Sequence, residues 1–306
     1  YRKFGFKFYL KLSKLQALQP GSVSTAEQPT RMQTVFDSYY YTDDGASVYT
    51  GGMITMGDTL VVAGSTLGSG GIFGQNPVNA MSGFVAKLDM QGGQPGDGST
   101  TRIYSDGGYN CHVEQVCADP SDPTGIYVVG HVKESAEATN AFVAKVDFNT
   151  MDLEWFTPIG VVKPATGGIG YADAVGCVAY AGQVFVTGVA KDGTSIESES
   201  SKGGDDIFVV SVDAGSGAME WSRQIGTSKH ERVAKGGGIT IGPGGSVIVL
   251  GQTTGNLYRT RSAPDSGASG WEEWSEVFIV SLSNGGLVDP PIVTASESQA
   301  TTEASP

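Results

Sequence analysis

Apolar and polar positions alternate along this chain in short runs that return at long intervals. One run reads FVAKLD at 84–89, FVAKVD at 142–147 and FVVSVD at 208–213, with looser copies FIVSLS at 278–283 and FYLKLS at 8–13. A second reads LVVAG at 60–64, IYVVG at 126–130, VFVTG at 184–188 and VIVLG at 247–251. Such alternation marks a strand with two different faces, and Val, Ile, Phe and Tyr suit a pleated, half-buried surface. Copies roughly sixty residues apart predict one supersecondary unit used several times. The anchors of the unit are Phe84, Phe142, Phe208 and Phe278 in the first run and Gly64, Gly130, Gly188 and Gly251 in the second.

Two weaker strands complete each unit. GMIT at 52–55, GCVA at 176–179 and GITI at 238–241 each lead through a turn into a glycine run, which predicts a hairpin of near-constant length. After the phenylalanine runs, turns such as DAGSG at 213–217 open an outer strand, LEWFTPI at 153–159 or MEWSRQI at 219–225. Trp155 and Trp221 share one repeat position there, where a large ring would fill the wedge between adjacent twisted sheets. Four antiparallel strands joined by Gly-rich turns, and repeated, are the pattern of a β-propeller blade. The expected fold is all-β: a β-propeller of four-stranded antiparallel blades, or a piece of a larger propeller. Blades are expected over about 46–108, 109–169, 170–229 and 230–293, with the long loop between second and third strands free to diverge.

The stretch GDDIFVVSVDAGSGAMEWSRQIG at 204–226, followed by GITIGPGGSVIVLGQT at 238–253, resembles the SBBP-type repeats of secreted and cell-surface β-propeller proteins. The resemblance covers about residues 46–283. It implies a propeller and an extracellular or cell-surface setting, and its motifs speak to fold rather than to a ligand. The chain departs from the pattern in its first unit, where TRIYS at 101–105 lacks the Trp, and in the degenerate third strand of its last.

Composition adjusts this picture in four ways. Glycine is 45 of 306 residues, about twice ordinary usage, and the glycines fall at turns and strand ends. The net charge of −13 opposes binding to nucleic acid or to anionic membranes. No apolar run approaches the ~20 residues of a membrane span. The three cysteines do not make a disulfide framework. Cys111 and Cys117, six apart, are expected on one face of one strand, too far apart to pair. Buried small hydrophobes are the plainer reading of all three, and a Cys117–Cys177 link between neighbouring units is open to them in an oxidising compartment.

Candidate chemistry is thin. His131 follows the glycine that ends an inner strand and so could face a central channel, but Ser65, Val189 and Gln252 stand at that place in the other units. His112 and His230 read as loop or edge residues. No catalytic residue, metal ligand or cofactor site is expected from these patterns. Calcium has only the acidic loops to support it, without an EF-hand or nonapeptide motif. Asp206, two residues before Phe208, is expected to bond nearby backbone amides at a strand entry. Trp271 and Trp274 lie in the longest loop, outside the repeat, and are the candidate binding-loop residues.

At the ends, residues 1–36 are expected to be a partial blade or an N-terminal extension, and TASESQATTEASP at 294–306 a disordered Ser/Thr-rich linker. The initial Tyr points to a fragment or a processed product. The expected function is a non-catalytic extracellular or cell-surface propeller module, serving protein or glycan binding or structural assembly. The alternative is a quinoprotein-like propeller enzyme. It is disfavoured by the lack of an adjacent cysteine pair and of Arg and Asp at matched channel positions.

Overall fold

The computed structural model describes residues 10–16, 33–40, 47–67, 81–89, 100–103, 110–133, 135–136, 138–164, 167–234, 236–255, 257 and 276–283. Among the described residues the regular structure is strand throughout, apart from one 3-10 turn at Pro243–Gly245, and no helix is long and apolar enough to cross a membrane. Strands β1 (Leu10–Gln16) and β2 (Gln33–Tyr40) pair antiparallel as a separate ribbon. Phe8 of the expected FYLKLS copy lies outside the described residues.

Four repeat units follow, each an antiparallel sheet with its strands in chain order. The first contains β3 (Ser47–Met56), β4 (Thr59–Leu67), β5 (Met81–Asp89) and β6 (Thr100–Ile103). The second contains β7 (Asn110–Ala118), β8 (Gly125–Lys133), β9 (Ala138–Asp147) and β10 (Leu153–Ile159). After the short β11 (Val161–Val162), the third is formed by β12 (Gly170–Tyr180), β13 (Gln183–Lys191), β15 (Asp206–Asp213) and β16 (Met219–Ile225), with β14 (Ser195–Ile196) pairing back to β11. In the fourth, β17 (Glu231–Val233) and β18 (Ile239–Ile241) share the edge of β19 (Val247–Thr253), whose other edge carries β20 (Glu276–Leu282). A two-residue parallel bridge, Gly170–Tyr171 against Ala138–Thr139, joins the second and third sheets.

Consecutive sheets share apolar layers. Val61, Ala63, Val85 and Ile103 of the first unit cluster with Val113, Val128, Phe142 and Val146 of the second. Tyr127, Val129 and Val143 of the second cluster with Val184, Val186, Phe208 and Val210 of the third. Phe185, Ile207 and Val209 of the third cluster with Val249, Phe278 and Val280 of the fourth. The middle strands are therefore buried on both faces. This explains why the runs IYVVG and VFVTG are almost wholly apolar rather than strictly alternating.

The two repeat motifs are cross-strand partners. Gly64 faces Phe84, Gly130 faces Phe142, Gly188 faces Phe208 and Gly251 faces Phe278. A Cβ on Gly188 would meet Phe208 Cζ at 2.5 Å and the Asp173 carbonyl oxygen at 2.1 Å, so the aromatic ring occupies the space a side chain would take. The carbonyl intrudes because the first strand of each of the first three units bulges opposite this glycine, between Thr50 and Gly52, Val113 and Gln115, and Ala174 and Gly176.

The bulge corrects two expectations. It places Cys111 in the layer shared with the first unit and Cys117 in the layer shared with the third, on opposite faces of β7. The extra residue shifts the phase of alternation between them. Cys117 then forms a disulfide with Cys177 of the next unit, with Cα atoms 5.9 Å apart, while Cys111 lies buried outside that bond. In the fourth unit the equivalent place is a longer interruption, where Gly236, Gly237 and Gly238 all have positive φ. These glycines lie between β17 and β18 and so split the first strand in two. Gly237 is crowded by the third unit, since a Cβ on Gly176 would lie 2.1 Å from its carbonyl oxygen, whereas Gly236 has open space around it.

Second bulges recur in the outer strands, between Leu153 and Trp155 and between Met219 and Trp221, the latter opposite Ser211 and Val212. The glutamate of each Glu-Trp pair sits in this bulge, so Glu154 reaches Lys145 at 2.9 Å and Glu220 accepts from Ser211 Oγ at 2.9 Å. The Trp rings then pack alike, Trp155 on Tyr127 and Trp221 on Phe185, each with centroids 6.1 Å apart. Trp155 Nε1 also donates to Ala214 O of the next unit at 3.3 Å.

Candidate functional site

First-strand residues two places before the bulge are Tyr49, His112, Asp173 and, before the longer interruption, Arg232. All four are polar, and their cross-strand partners are Ser65, His131, Val189 and Gln252. The pairing of His112 with His131 is what gathers a site. Their rings stack with centroids 5.0 Å apart and planes 10° apart. Glu114 is the bulge residue of β7, and its Oε1 lies 2.8 Å from His112 Nδ1. One potential ligand atom from each of His112, Glu114 and His131 lies within 4.8 Å of the other two.

The neighbouring units complete the walls. Asp173 of β12 places Oδ1 3.0 Å from His131 Nδ1. A carboxylate only accepts, so Nδ1 of His131 is the donor in this pair. Tyr49 of the first unit and Tyr171 of the third lie 5.4 Å and 5.8 Å from the His112 and His131 rings. Lys191 Nζ sits 4.2 Å over the Tyr171 ring. His112, Glu114, His131, Tyr171, Asp173 and Lys191 are half-buried, whereas Tyr49 is exposed.

The electrostatics follow from this packing. The Glu114 carboxylate raises the His112 pKa, outweighing the opposing effect of burial. The same contact lowers the Glu114 pKa, again against burial. Burial first, and then the charges of Asp173 and Glu114, push the Tyr171 phenol up to about 12, so it stays a neutral hydroxyl. His112 Nδ1 is buried, with the Glu114 Oε1 beside it at 2.8 Å. Two imidazoles and two carboxylates thus face one another in a space where a cation would be favoured.

Other expectations resolve individually. His112 is no loop residue: it stands within β7, the edge strand of its sheet, and its role appears only once β7 and β8 are in register. His230 lies between β16 and β17, its Nδ1 accepting from Asp205 N at 3.2 Å. Asp206 is fully buried and takes Lys202 N at 2.7 Å and Gln224 Nε2 at 2.8 Å on Oδ2, the strand-entry role its position suggests. Asn140, at the same place in the second unit, accepts from Val161 N at 3.2 Å. Trp271 and Trp274 lie outside the described residues.

No family model matches the chain, and a search of curated proteins finds no significant match.

Proposed function

We propose that this chain is a non-catalytic β-propeller module that presents loops to a protein or glycan partner, or assembles into a larger structure, outside the cell or at its surface. The observation that carries the reading is the stacking of four similar sheets in chain order. Each shares an apolar layer with the next, and first strands crowd together at Gly51, Gly52, Gly176 and Gly237. Radial arrays of blades need both features: large side chains between the sheets, and little room where the first strands converge. The SBBP-type resemblance rests on the same motif residues. The Cys117–Cys177 disulfide suits an oxidising compartment, and the charge of −13 disfavours nucleic acid.

Two measurements test this together. Glycan and protein arrays are probed with the wild type and with a Trp271→Ala/Trp274→Ala variant. Saturable binding that the double variant loses is the expected result. In parallel, the protein is titrated with pyrroloquinoline quinone and calcium. No saturable absorbance change is expected, and a stoichiometric quinone complex would overturn the reading in favour of an oxidoreductase.

A further inference from the structure

We propose that His112, Glu114 and His131 form a binding site for a divalent transition-metal ion of the zinc class, with Asp173 of the next unit orienting His131. The site is independent of whether the module binds glycan, protein or itself.

Four observations carry it. The three ligand atoms already lie within 4.8 Å of one another. Tetrahedral zinc, with bonds of about 2.0–2.2 Å, needs ligand atoms about 3.3–3.5 Å apart, so closure asks for a contraction of up to about 1.5 Å. The ligands stand on paired strands: His112 and His131 are cross-strand neighbours, and Glu114 projects from a bulge, a device that re-aims side chains. Asp173 holds His131 through Nδ1 and leaves Nε2 to bind a metal, the outer-shell carboxylate that metal-bound histidines commonly have. Finally, His112 Nδ1 is a buried atom 2.8 Å from the Glu114 carboxylate, a pair that a cation could share.

The donor set selects the ion. Two imidazoles and one carboxylate suit zinc and its neighbours, whereas calcium and magnesium take oxygen ligands, more of them and in looser shells. Three protein ligands leave a fourth position for water or for a donor from a partner. The plain alternative is a self-contained cluster in which Glu114 and Asp173 neutralise the two histidines and no ion enters.

The test uses the full chain, freed of any affinity tag and stripped with chelator, titrated with zinc against a chromophoric chelator and by calorimetry. One zinc per chain is expected, displaced by cobalt with a tetrahedral visible absorption band. Zinc should raise the melting temperature of the wild type. His131→Ala and His112→Ala should each weaken binding at least about a hundredfold. Asp173→Asn should weaken it about ten- to a hundredfold while keeping the stoichiometry. Should an alanine variant fail to fold, Glu114→Gln, at a half-exposed bulge position, provides the same readout and should also lose affinity. Zinc binding that is absent, or equal in wild type and variants, would overturn the proposal, as would a preference for calcium over zinc.

Discussion

Glycine and phenylalanine divide one space between them at Gly64, Gly188 and Gly251, and that division sets the cost of change at single residues. Gly188 cannot carry a side chain without driving it into the Asp173 carbonyl and the Phe208 ring. Backbone cannot yield as a flexible side-chain tip can, so Gly188→Ala should destabilise by about 1–3 kcal/mol or more, read from urea unfolding at constant m-value. Gly182→Ala serves as the contrast. That residue lies at a hairpin tip with open space around it but a φ of 81°, so only backbone strain is added, about 1–2 kcal/mol. The recurrence of these residues was legible in the sequence; that each glycine faces its phenylalanine was not. The phase depends on bulges, and no residue type marks them: Gly51, Glu114 and Val175 occupy the equivalent place. The histidine site was hidden for the same reason, since His112, Glu114 and His131 converge only when that bulge is known. Asp173, about forty residues onward, had no local signal at all.

Turns between the third and fourth strands show how one element is reused. Asp147 accepts from Asn149 N at 2.8 Å and Thr150 N at 2.7 Å, and Asp213 from Ser216 N at 2.7 Å and Ser216 Oγ at 2.6 Å. Four residues on, Met151 and Gly217 both take positive φ, 62° and 74°. Each turn is then gripped by the preceding unit: Lys87 Nζ donates to Phe148 O at 2.7 Å, and Thr157 Oγ1 to Gly217 O at 2.7 Å. Hydrogen bonds to Thr150 amide and to Ser216 hold the two carboxyls below the ordinary aspartate range. A folded pKa below the unfolded one contributes stability that is present above the unfolded value and lost as pH falls through the folded value. Thermal melts from about pH 6 to about pH 2 should therefore show the wild type losing more stability than Asp147→Asn/Asp213→Asn, whose amides keep an acceptor without titrating. Equal losses would remove these turns from the acid response. The sequence marked both turns through Asp, Asn, Gly and Ser, and it marked the Trp positions, because turn chemistry and large rings have strong local signatures. It did not distinguish the strand that starts the fourth unit, where the interruption at 234–238 displaces the pairing.

Across the whole molecule, the account rests on which sheet neighbours which. Four similar sheets were legible from period and pattern, and the chain-order stacking is recorded in the faces of the middle strands: Tyr127 and Val129 turn one way, Ile126 and Val128 the other. What sequence could not give was the partner of each face, because apolar residues pack without directional chemistry. The cysteines supply that direction. Three cysteines allow three pairings, and because the second unit meets the first and the third through opposite faces of β7, only one of them is permitted. The bond should also constrain the unfolded chain, contributing about 2–4 kcal/mol that reduction removes. Peptide mapping of the non-reduced protein by mass spectrometry decides the matter. Linked peptides containing Cys117 and Cys177 are the expected result, and a bond from Cys111 to either of them would contradict the stacking described here.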